Sequence, residues 1–331
     1  MTEPTSDWRD IPKVELHLHL EGAAPPAFIR GLAAEKGMDL SAIFRPDGGY
    51  RYEGFEHFLQ VYEAACQVLT GPEEFRRLTL AVLEESASQG VVYTEAFLSP
   101  EFCGGGDVGA WREYLAAIQD AAMQAERDFG ITLRGCATII RHLGPDKGRD
   151  TARCAVETAG DFLTGFGLAG AEMMGRPGDY AWSFDAAREA GLRLTAHAGE
   201  WGGPDMVADT IRDLKVERIG HGINAIRDLA LVDDIAEKGI VLEVCPGSNV
   251  FLGAVPSWKD HPLPKLMARG VKCTVSTDDP PFFHTTMSNE YDMLEQVFDF
   301  GESEFRHLAE TGLAGAFCDE ATRERVRKRL A

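Results

Sequence analysis

Eight short apolar runs recur along the chain, and each is followed by a polar loop and a stretch with helical spacing of apolar residues. Glycines stand just before five of these runs, where they suit the turn from a helix into a strand. This alternation is typical of parallel strands joined by right-handed helical crossovers. The predicted strands are Val14–Leu20, Val91–Phe97, Leu133–Ile139, Phe162–Leu168, Leu192–Ala196, Arg218–Gly220, Ile240–Val244 and Val271–Ser276.

A closed barrel fits this pattern better than an open sheet. Polar motifs follow the first, fifth, sixth and eighth predicted strands, whereas a doubly wound sheet would concentrate them near one switch point. In a barrel, catalytic groups lie at the carboxyl ends of strands all around the ring. Chains of 331 residues can form one barrel domain, so we expect a single (β/α)8 TIM barrel over residues 1–331.

Two helical additions to this barrel are predicted. The stretch from Phe55 to Gln89, between the first and second strands, is interrupted at Gly71-Pro72 and is placed to cover the barrel mouth. A helical tail begins at Ser288 and ends in the basic stretch Arg323–Arg329, which would complement a helix dipole. Helices between strands are predicted at Asp185–Ala190, Val207–Leu214 and Asp228–Glu237.

Histidines at strand ends point to a metal centre. His17 and His19 end the first predicted strand, and residues i and i+2 of a strand project from the same face. His197, His221 and Asp278 follow the fifth, sixth and eighth strands. A set of imidazoles with one carboxylate suits zinc, although iron and manganese also fit these residue types.

Two carboxylates beside these histidines are candidates for proton transfer and substrate binding. A catalytic zinc keeps one position open for water and lowers the pKa of that water to about 7. Glu200, three residues after His197, could then protonate the atom that gains electron density. Asp278 and Asp279 are neighbours, and neighbouring strand residues point apart, so we expect one metal ligand and one substrate contact.

The remaining histidines are expected to lie outside the site. His284 follows the eighth strand and could line a pocket, but it is not assigned a role. The four others lie on predicted helices or loops away from strand ends and are expected to be structural: His57, His142, His261 and His307.

The composition limits the partners and the compartment. The net charge of −20 disfavours nucleic acid and anionic membranes, although Arg141, Arg149 and Arg153 could together bind one phosphate. Seven cysteines are scattered without a CxxC pair, which indicates reduced thiols. The polar start Met1–Pro4 is unlike a signal peptide, and no apolar run is long enough to span a membrane. We expect a cytoplasmic enzyme with a small-molecule substrate; the oligomeric state stays open.

Six segments together make the sequence resemble the adenosine and adenine deaminase family of the metal-dependent amidohydrolase superfamily. They occur in the family's order and span most of the chain. The segments are Pro12–Gly22 (containing His-Leu-His), Leu168–Glu172, His197–Glu200, Ile219–Gly222, Cys245–Asn249 and Ser276–Pro280.

The resemblance implies a metal-dependent deaminase domain over residues 1–331, with a role for each matched position. One zinc per chain would be bound by His17, His19, His197 and Asp278. Glu200 would share a proton with purine N1, and His221 would orient the attacking water and assist its deprotonation. The purine would contact Asp279 at N7 and the backbone of Gly170 at N3, with His19 and Glu21 also lining the substrate site.

The reaction implied by the resemblance is hydrolytic attack at C6 of the purine, with loss of ammonia. Adenosine, or a close 9-substituted adenine, is the expected substrate, giving inosine. Glu21 stands where many adenosine deaminases have the aspartate associated with the ribose 5′-hydroxyl, and Glu21-Gly22 is similar to the adenine deaminase branch. Phe97 stands where the family usually has arginine, whereas Ser276–Asp279 is closer to the adenosine branch. Free adenine and a modified nucleoside such as aminodeoxyfutalosine are the alternatives.

Two readings outside this chemistry are disfavoured. A two-metal amidohydrolase that cleaves cyclic amides or esters would normally use a bridging lysine or an equivalent carboxylate, and the fourth strand, Phe162–Leu168, contains no lysine. A non-catalytic purine-binding relative would be expected to lack Glu200 or a metal ligand, and all of these are present.

Overall fold

The protein folds around one eight-stranded parallel sheet whose strands follow one another in chain order. The structure is a computed structural model that describes residues 8–331, so the start Met1–Pro4 lies outside the described residues. The strands are β1 (Lys13–His19), β2 (Val91–Leu98), β3 (Thr132–Ile140), β4 (Leu163–Ala169), β5 (Arg193–Ala198), β6 (Arg218–His221), β7 (Val241–Val244) and β8 (Lys272–Val275). All eight predicted strands are observed, with ends displaced by at most two residues.

The sheet closes on itself between its first and last strands. The backbone N–H of His19 donates to the carbonyl of Asp278 at 3.0 Å, and the N–H of Asp278 donates to the carbonyl of His17 at 3.1 Å. These bonds lie at the carboxyl ends of β1 and β8, beside the predicted metal ligands. The predicted (β/α)8 TIM barrel is therefore confirmed.

Helices surround this barrel. They are α1 (Pro26–Lys36), α2 (Gly54–Cys66), α3 (Pro72–Ser88), α4 (Val108–Asp128), α5 (Pro145–Val156), α6 (Ala181–Glu189), α7 (Pro204–Leu214), α8 (Leu229–Lys238), α9 (Pro246–Phe251), α10 (Leu263–Ala268), α11 (Pro280–Phe283), α12 (Met287–Phe298), α13 (Glu302–Gly315) and α14 (Glu320–Leu330). The three helices predicted between later strands correspond to α6, α7 and α8. Among residues 8–331, no helix is both long and apolar enough to cross a membrane.

The two predicted helical additions have different positions. The stretch predicted from Phe55 to Gln89 forms α2 and α3, which are separated at Gly71. Helix α2 lies over the carboxyl ends of the strands and lines the central cavity, whereas α3 packs against α4. In the C-terminal addition, Arg323 of α14 donates to the carbonyls of Leu313 and Ala316 at the end of α13. Arg323, at the start of the basic stretch, thus caps α13, the helix before its own, whereas the stretch was expected to complement the dipole of the helix that carries it.

Charged side chains fill part of the barrel interior beneath the site. Arg218 lies 2.7 Å from Glu95 and 2.5 Å from Glu243, and all three side chains are buried. Burial alone would raise the pKa of Glu243, but Arg218 and His17 hold it below its ordinary value. We call Glu95, Arg218 and Glu243 the barrel network. Because buried charges are tolerated only when paired, this network gives His17 a fixed, ionised partner.

Candidate metal centre and purine pocket

The barrel brings the four predicted metal ligands together. His19 Nε2 lies 3.2 Å from His197 Nε2 and 3.3 Å from Asp278 Oδ1. His17 Nε2 lies 3.4 Å from the same carboxylate oxygen. His221 Nε2 is farther away, at 3.9 Å from the nearer oxygen of Asp278. The ligand atoms of the cluster thus converge at the carboxyl ends of β1, β5 and β8.

The orientation of two imidazoles fits a divalent cation. His17 Nδ1 is hydrogen-bonded to Glu243 at 2.9 Å, and His197 Nδ1 to the carbonyl of Leu168 at 2.9 Å. Both contacts place a proton on Nδ1 and leave the Nε2 lone pair available, the arrangement typical of metal-binding histidines. His17 Nε2 is buried and finds no hydrogen-bond partner within the described chain. These residues fit zinc, and the ligand set remains a prediction.

Asp278 is held in place from two sides. Its backbone has φ of 68°, a left-handed conformation that costs a non-glycine residue energy and is found at functional sites. Ser248 Oγ donates to Asp278 Oδ2 at 2.7 Å, and buried Glu15 accepts a bond from the N–H of Thr277. Although burial opposes ionisation, the neighbouring imidazoles of His17, His19 and His221 keep the pKa of Asp278 well below its usual range. Asp278 is thus an ionised carboxylate aimed at the cluster.

The loop that carries Glu200 is built around the buried carboxylate of Glu172. That carboxylate accepts four backbone N–H groups, at 2.5–3.1 Å, from Gly199, Glu200, Trp201 and Gly202. Glu200 Oε1 is buried and has no hydrogen-bond partner among residues 8–331. Burial, aided by the negative charge of Asp278, raises the pKa of Glu200 well above its ordinary value. The buried site therefore favours the protonated form of Glu200, which can donate a proton.

Glu21 and Asp279 form a second pair of buried carboxyl groups. A Cβ added to Gly22 would lie only 1.6 Å from Asp279 Oδ1, so glycine is required between the two side chains. Burial raises the pKa of Glu21 to about 7, and burial together with Asp278 raises that of Asp279 well above its ordinary value. Glu21 Oε1 and Asp279 Oδ1 both have no hydrogen-bond partner in the part of the chain that the structure describes.

Phe97 packs its ring against the metal cluster. Its centroid lies 4.8 Å from that of His17, 4.9 Å from that of His19 and 5.3 Å from that of His197. At this position, where the family usually has arginine, the protein has an apolar wall.

A cavity of about 90 Å³ opens beside the cluster. Its metal side is formed by His19, His197, His221 and Asp278, and its polar walls by Glu21, Glu200, Asp279 and Gly170. Its cover comes largely from aromatic residues of α2 and neighbouring loops: Phe55, Phe58, Tyr62, Phe102 and Phe283. The structure thus places every predicted catalytic and substrate-binding residue on one cavity.

Two histidines expected to be structural lie at or near this cavity. His142 follows β3 and lines the cavity, and a Cβ added to Gly170 would lie 2.9 Å from His142 Nδ1. Its position just after a strand is the same feature that marks His197 and His221 in the sequence. Buried His261 contacts Asn249, which in turn contacts His221. His284, left without a role, pairs with Arg45 instead.

The three arginines considered for phosphate binding do not form one site. Arg141 is buried and donates to the carbonyl of Glu172. The other two make ion pairs within α5, Arg149 with Asp146 and Arg153 with Asp150. Each guanidinium therefore has a separate structural role.

Substitution of Gly220 by alanine is expected to weaken zinc binding. A Cβ at this position would lie 2.8 Å from His17 Cε1 and 3.2 Å from the His197 backbone, so the His17 imidazole must shift. Changes that misorient a metal-binding histidine typically weaken metal binding about 10–100-fold. A competition titration with a chromogenic chelator measures this affinity. The control is Gly31→Ala, where nothing lies within 4 Å of the added Cβ; unchanged zinc affinity in Gly220→Ala would contradict the ligand set.

Comparison with known proteins identifies the family of this chain. The family profile described as adenosine deaminase matches residues 12–331. The chain is 44% identical over 319 residues to an adenine deaminase of Agrobacterium fabrum, covering 96% of this chain and 97% of that protein. The chain therefore belongs to the adenosine deaminase family, whose members are hydrolytic deaminases, and the resemblance seen in the sequence is confirmed.

Solved structures agree in fold. The crystal structure of an adenine deaminase from Arthrobacter aurescens superimposes with a TM-score of 0.87 at 30% identity, covering 97% of this chain and 98% of that one. An amidohydrolase from Burkholderia ambifaria with bound zinc has a TM-score of 0.88 at 28% identity, covering 100% and 92% of the two chains. Two of these three relatives are named adenine deaminase, so the expectation of adenosine as the substrate gains no support from them.

Proposed function

We propose that this protein deaminates free adenine at C6, giving hypoxanthine and ammonia, and uses one zinc ion per chain. The observation that carries the proposal is a pair of buried carboxyl groups on one wall of the cavity, Glu21 and Asp279. Each has one oxygen, Oε1 and Oδ1 respectively, without a hydrogen-bond partner among residues 8–331. The relatives named adenine deaminase support it. We further propose a single deaminase domain over residues 1–331 that acts in the cytoplasm, in keeping with seven free cysteines within residues 8–331.

The carboxyl pair suits the imidazole edge of a free base. Unsubstituted adenine offers an acceptor at N7 and a donor N–H at N9, whereas a nucleoside has no N–H at N9. Protonated Asp279 can donate to N7, and ionised Glu21 can accept from the N9–H. Because Glu21 and Asp279 interact electrostatically, one proton shared between them avoids placing two charges in one buried pocket.

Glu200 moves the protons of the reaction. Zinc, when bound by the cluster, activates a water molecule for attack on carbon. Protonated Glu200 gives its proton to N1 as oxygen adds to C6. The resulting carboxylate takes back a proton from the attacking water, and the other proton of that water leaves with the amine as ammonia. Glu200 thus ends in its starting state.

The cover of the cavity disfavours larger or charged substrates. Helix α2 places Phe55, Phe58 and Tyr62 over the opening. None of the residues that line the cavity in the described chain is Lys or Arg, so a phosphate or another anionic substituent would be buried without a cation. Adenosine and a modified adenine nucleoside remain the alternatives to test.

The substrate is identified by comparing free adenine, adenosine and 2′-deoxyadenosine on zinc-loaded protein. Ammonia release and the ultraviolet change of the purine give kcat/KM for each. The proposal predicts the highest value for adenine. A preference for the nucleosides would make adenosine the substrate, and inactivity on all three would point to another modified adenine.

Glutamine at position 21 is expected to weaken the use of adenine selectively. A hydrogen bond to a charged group is worth about 1.5–3 kcal/mol, so Glu21→Gln should lower kcat/KM for adenine about 10–100-fold. For 9-methyladenine, which has no N9–H, the same substitution should change kcat/KM little. Steady-state kinetics on both bases provide the measurement, with Glu63→Gln on the α2 side of the same cavity as a control. Equal losses for both bases would contradict the contact with N9–H.

A further inference from the structure

A continuous line of hydrogen bonds runs from a backbone amide to His221. The N–H of Leu263 donates to His261 Nδ1 at 3.2 Å. His261 Nε2 lies 3.3 Å from Asn249 Oδ1, and Asn249 Nδ2 lies 3.1 Å from His221 Nδ1. Asn249, His261 and His221 are all at most 2% exposed. We call Leu263, His261, Asn249 and His221 the relay.

The backbone amide fixes the direction of every bond in the relay. A backbone N–H can only donate, so His261 Nδ1 must accept and the ring proton of a neutral His261 must lie on Nε2. That proton points to Asn249 Oδ1, which places the amide nitrogen of Asn249 toward His221. An amide nitrogen can only donate, so His221 Nδ1 accepts and its ring proton lies on Nε2.

The opposite arrangement fails at His261. If the Asn249 amide were reversed, its nitrogen would donate to His261 Nε2 while Leu263 donated to Nδ1. His261 would then accept at both ring nitrogens, which a neutral imidazole cannot do. A charged His261 fails as well, because it would have no acceptor for Leu263, and burial lowers the pKa of His261 to about 3. Only one proton arrangement satisfies all partners.

The Nε2 proton of His221 therefore faces the reaction cavity. His221 Nε2 lies 3.9 Å from Glu200 Oε2 and 3.9 Å from Asp278 Oδ2, and both distances are too long for a direct hydrogen bond. His221 has φ of 62°, a strained conformation that turns it into this position. A nitrogen that carries a proton can neither bind a metal ion nor accept a proton, but it can donate to an oxygen.

We propose that Asn249 and His261 are positioning residues that hold His221 with its proton on Nε2, so that His221 donates a hydrogen bond to the oxygen that attacks C6. This proposal deepens the proposed deaminase function and rests on it. It assigns His221 the stabilisation of the attacking oxygen and assigns proton exchange to Glu200. It also separates His221 from the cluster of metal ligands, although its ring lies 4.8 Å from that of His17.

Nuclear magnetic resonance shows directly which ring nitrogen of His221 carries the proton. In ¹⁵N-labelled protein, with and without zinc, His221 should show a pyrrole-like Nε2 and a pyridine-like Nδ1, assigned by comparison with His221→Gln. A pyridine-like Nε2 in the zinc-loaded protein would overturn the proposal. The spectrum does not depend on turnover, so a failure to deaminate adenine would refute the proposed function and leave this result standing.

Two substitutions test the relay itself. Asn249→Asp replaces a donor by an acceptor of the same shape, so the proton of His221 should move to Nδ1. Loss of one preorganised donor to a developing oxyanion costs about 10²–10³-fold in kcat, and KM for adenine should change little. If the proton moves and kcat is unchanged, or if kcat falls and the proton stays on Nε2, the relay does not act as proposed.

The second substitution distinguishes the loss of a hydrogen bond in the relay from a change in side-chain packing. His261→Phe removes the donor to Asn249 and should give a mixture of His221 tautomers with reduced kcat, whereas His261→Gln can still donate to Asn249 Oδ1 and should restore both. His307→Gln, at an exposed position on α13, should leave the spectrum and the kinetics unchanged. If kcat falls equally in His261→Phe and His261→Gln, the effect is one of packing, and the proposed role of the relay is wrong.

Discussion

Replacement of Glu200 by glutamine should abolish most turnover and leave the zinc content unchanged. The carboxyl group is buried, and burial together with Asp278 raises its pKa, so the wild-type side chain holds a proton that it can release to N1. An amide of the same shape cannot release that proton. General acid–base groups contribute about 10²–10⁴-fold to rate, and kcat for adenine should fall by that factor.

The zinc content and the fold of Glu200→Gln should match those of the wild type. The loop is held by Glu172 through four backbone bonds, none of which uses the Glu200 side chain. Metal analysis, circular dichroism and adenine kinetics on one preparation separate the effects. Near-normal kcat with full zinc would show that another group donates the proton, and Glu63→Gln serves as a matched change at the same cavity.

The barrel and the positions of the candidate metal ligands could be predicted from the sequence because both depend on local patterns. Each buried parallel strand gives its own apolar run, and the residue that follows the run lies at the carboxyl edge of the barrel. His17, His197 and Asp278 therefore needed no tertiary information to be placed at one end of the molecule. Their mutual distances of a few ångströms follow from closure of the sheet.

The buried charged residues of the barrel interior were not predicted, because each depends on a partner that is distant in the sequence. Glu95 and Glu243 each lie in an apolar run, where a single carboxylate gives no indication of its partner. Arg218 joins them across strands that are 123 and 25 residues away in the sequence. The partnership depends on barrel closure, since only then do β2, β6 and β7 face a common interior.

The roles of His142 and His261 were missed for different reasons. His142 follows β3 directly, so the rule that found the other site histidines would have found it as well. His261 lies between β7 and β8, far from any strand end, and reaches the site only through Asn249. Asn249 belongs to a matched family segment, but its function is visible only when both of its partners are seen.

The substrate is the feature of this protein that is hardest to predict from its sequence. Glu21 indicated the adenine branch, while Ser276–Asp279 indicated the adenosine branch. The structure shows that Glu21 and Asp279 occupy the same buried wall, so the two residues must be interpreted together. A pair that offers both a donor and an acceptor then favours an unsubstituted base.

Removal of the His17 imidazole is expected to eliminate both the bound metal and the activity. His17 Nε2 is buried, faces the carboxylate of Asp278 and has no hydrogen-bond partner within residues 8–331, so it is available to a cation. His17→Ala should therefore contain well below one zinc per chain by metal analysis and show no measurable deamination.

Loss of folding could mimic this result, because His17 Nδ1 also donates a hydrogen bond to Glu243 of the barrel network. Losing a hydrogen bond to a charged group costs about 1.5–3 kcal/mol, and the variant is expected to melt at a lower temperature. His17→Asn is therefore compared with it, since its amide nitrogen takes the place of Nδ1 and can still donate to Glu243 but supplies no imidazole to the metal. If the asparagine variant regains stability but neither zinc nor turnover, His17 acts as a ligand. Full zinc and normal kcat in either folded variant would remove His17 from the ligand set.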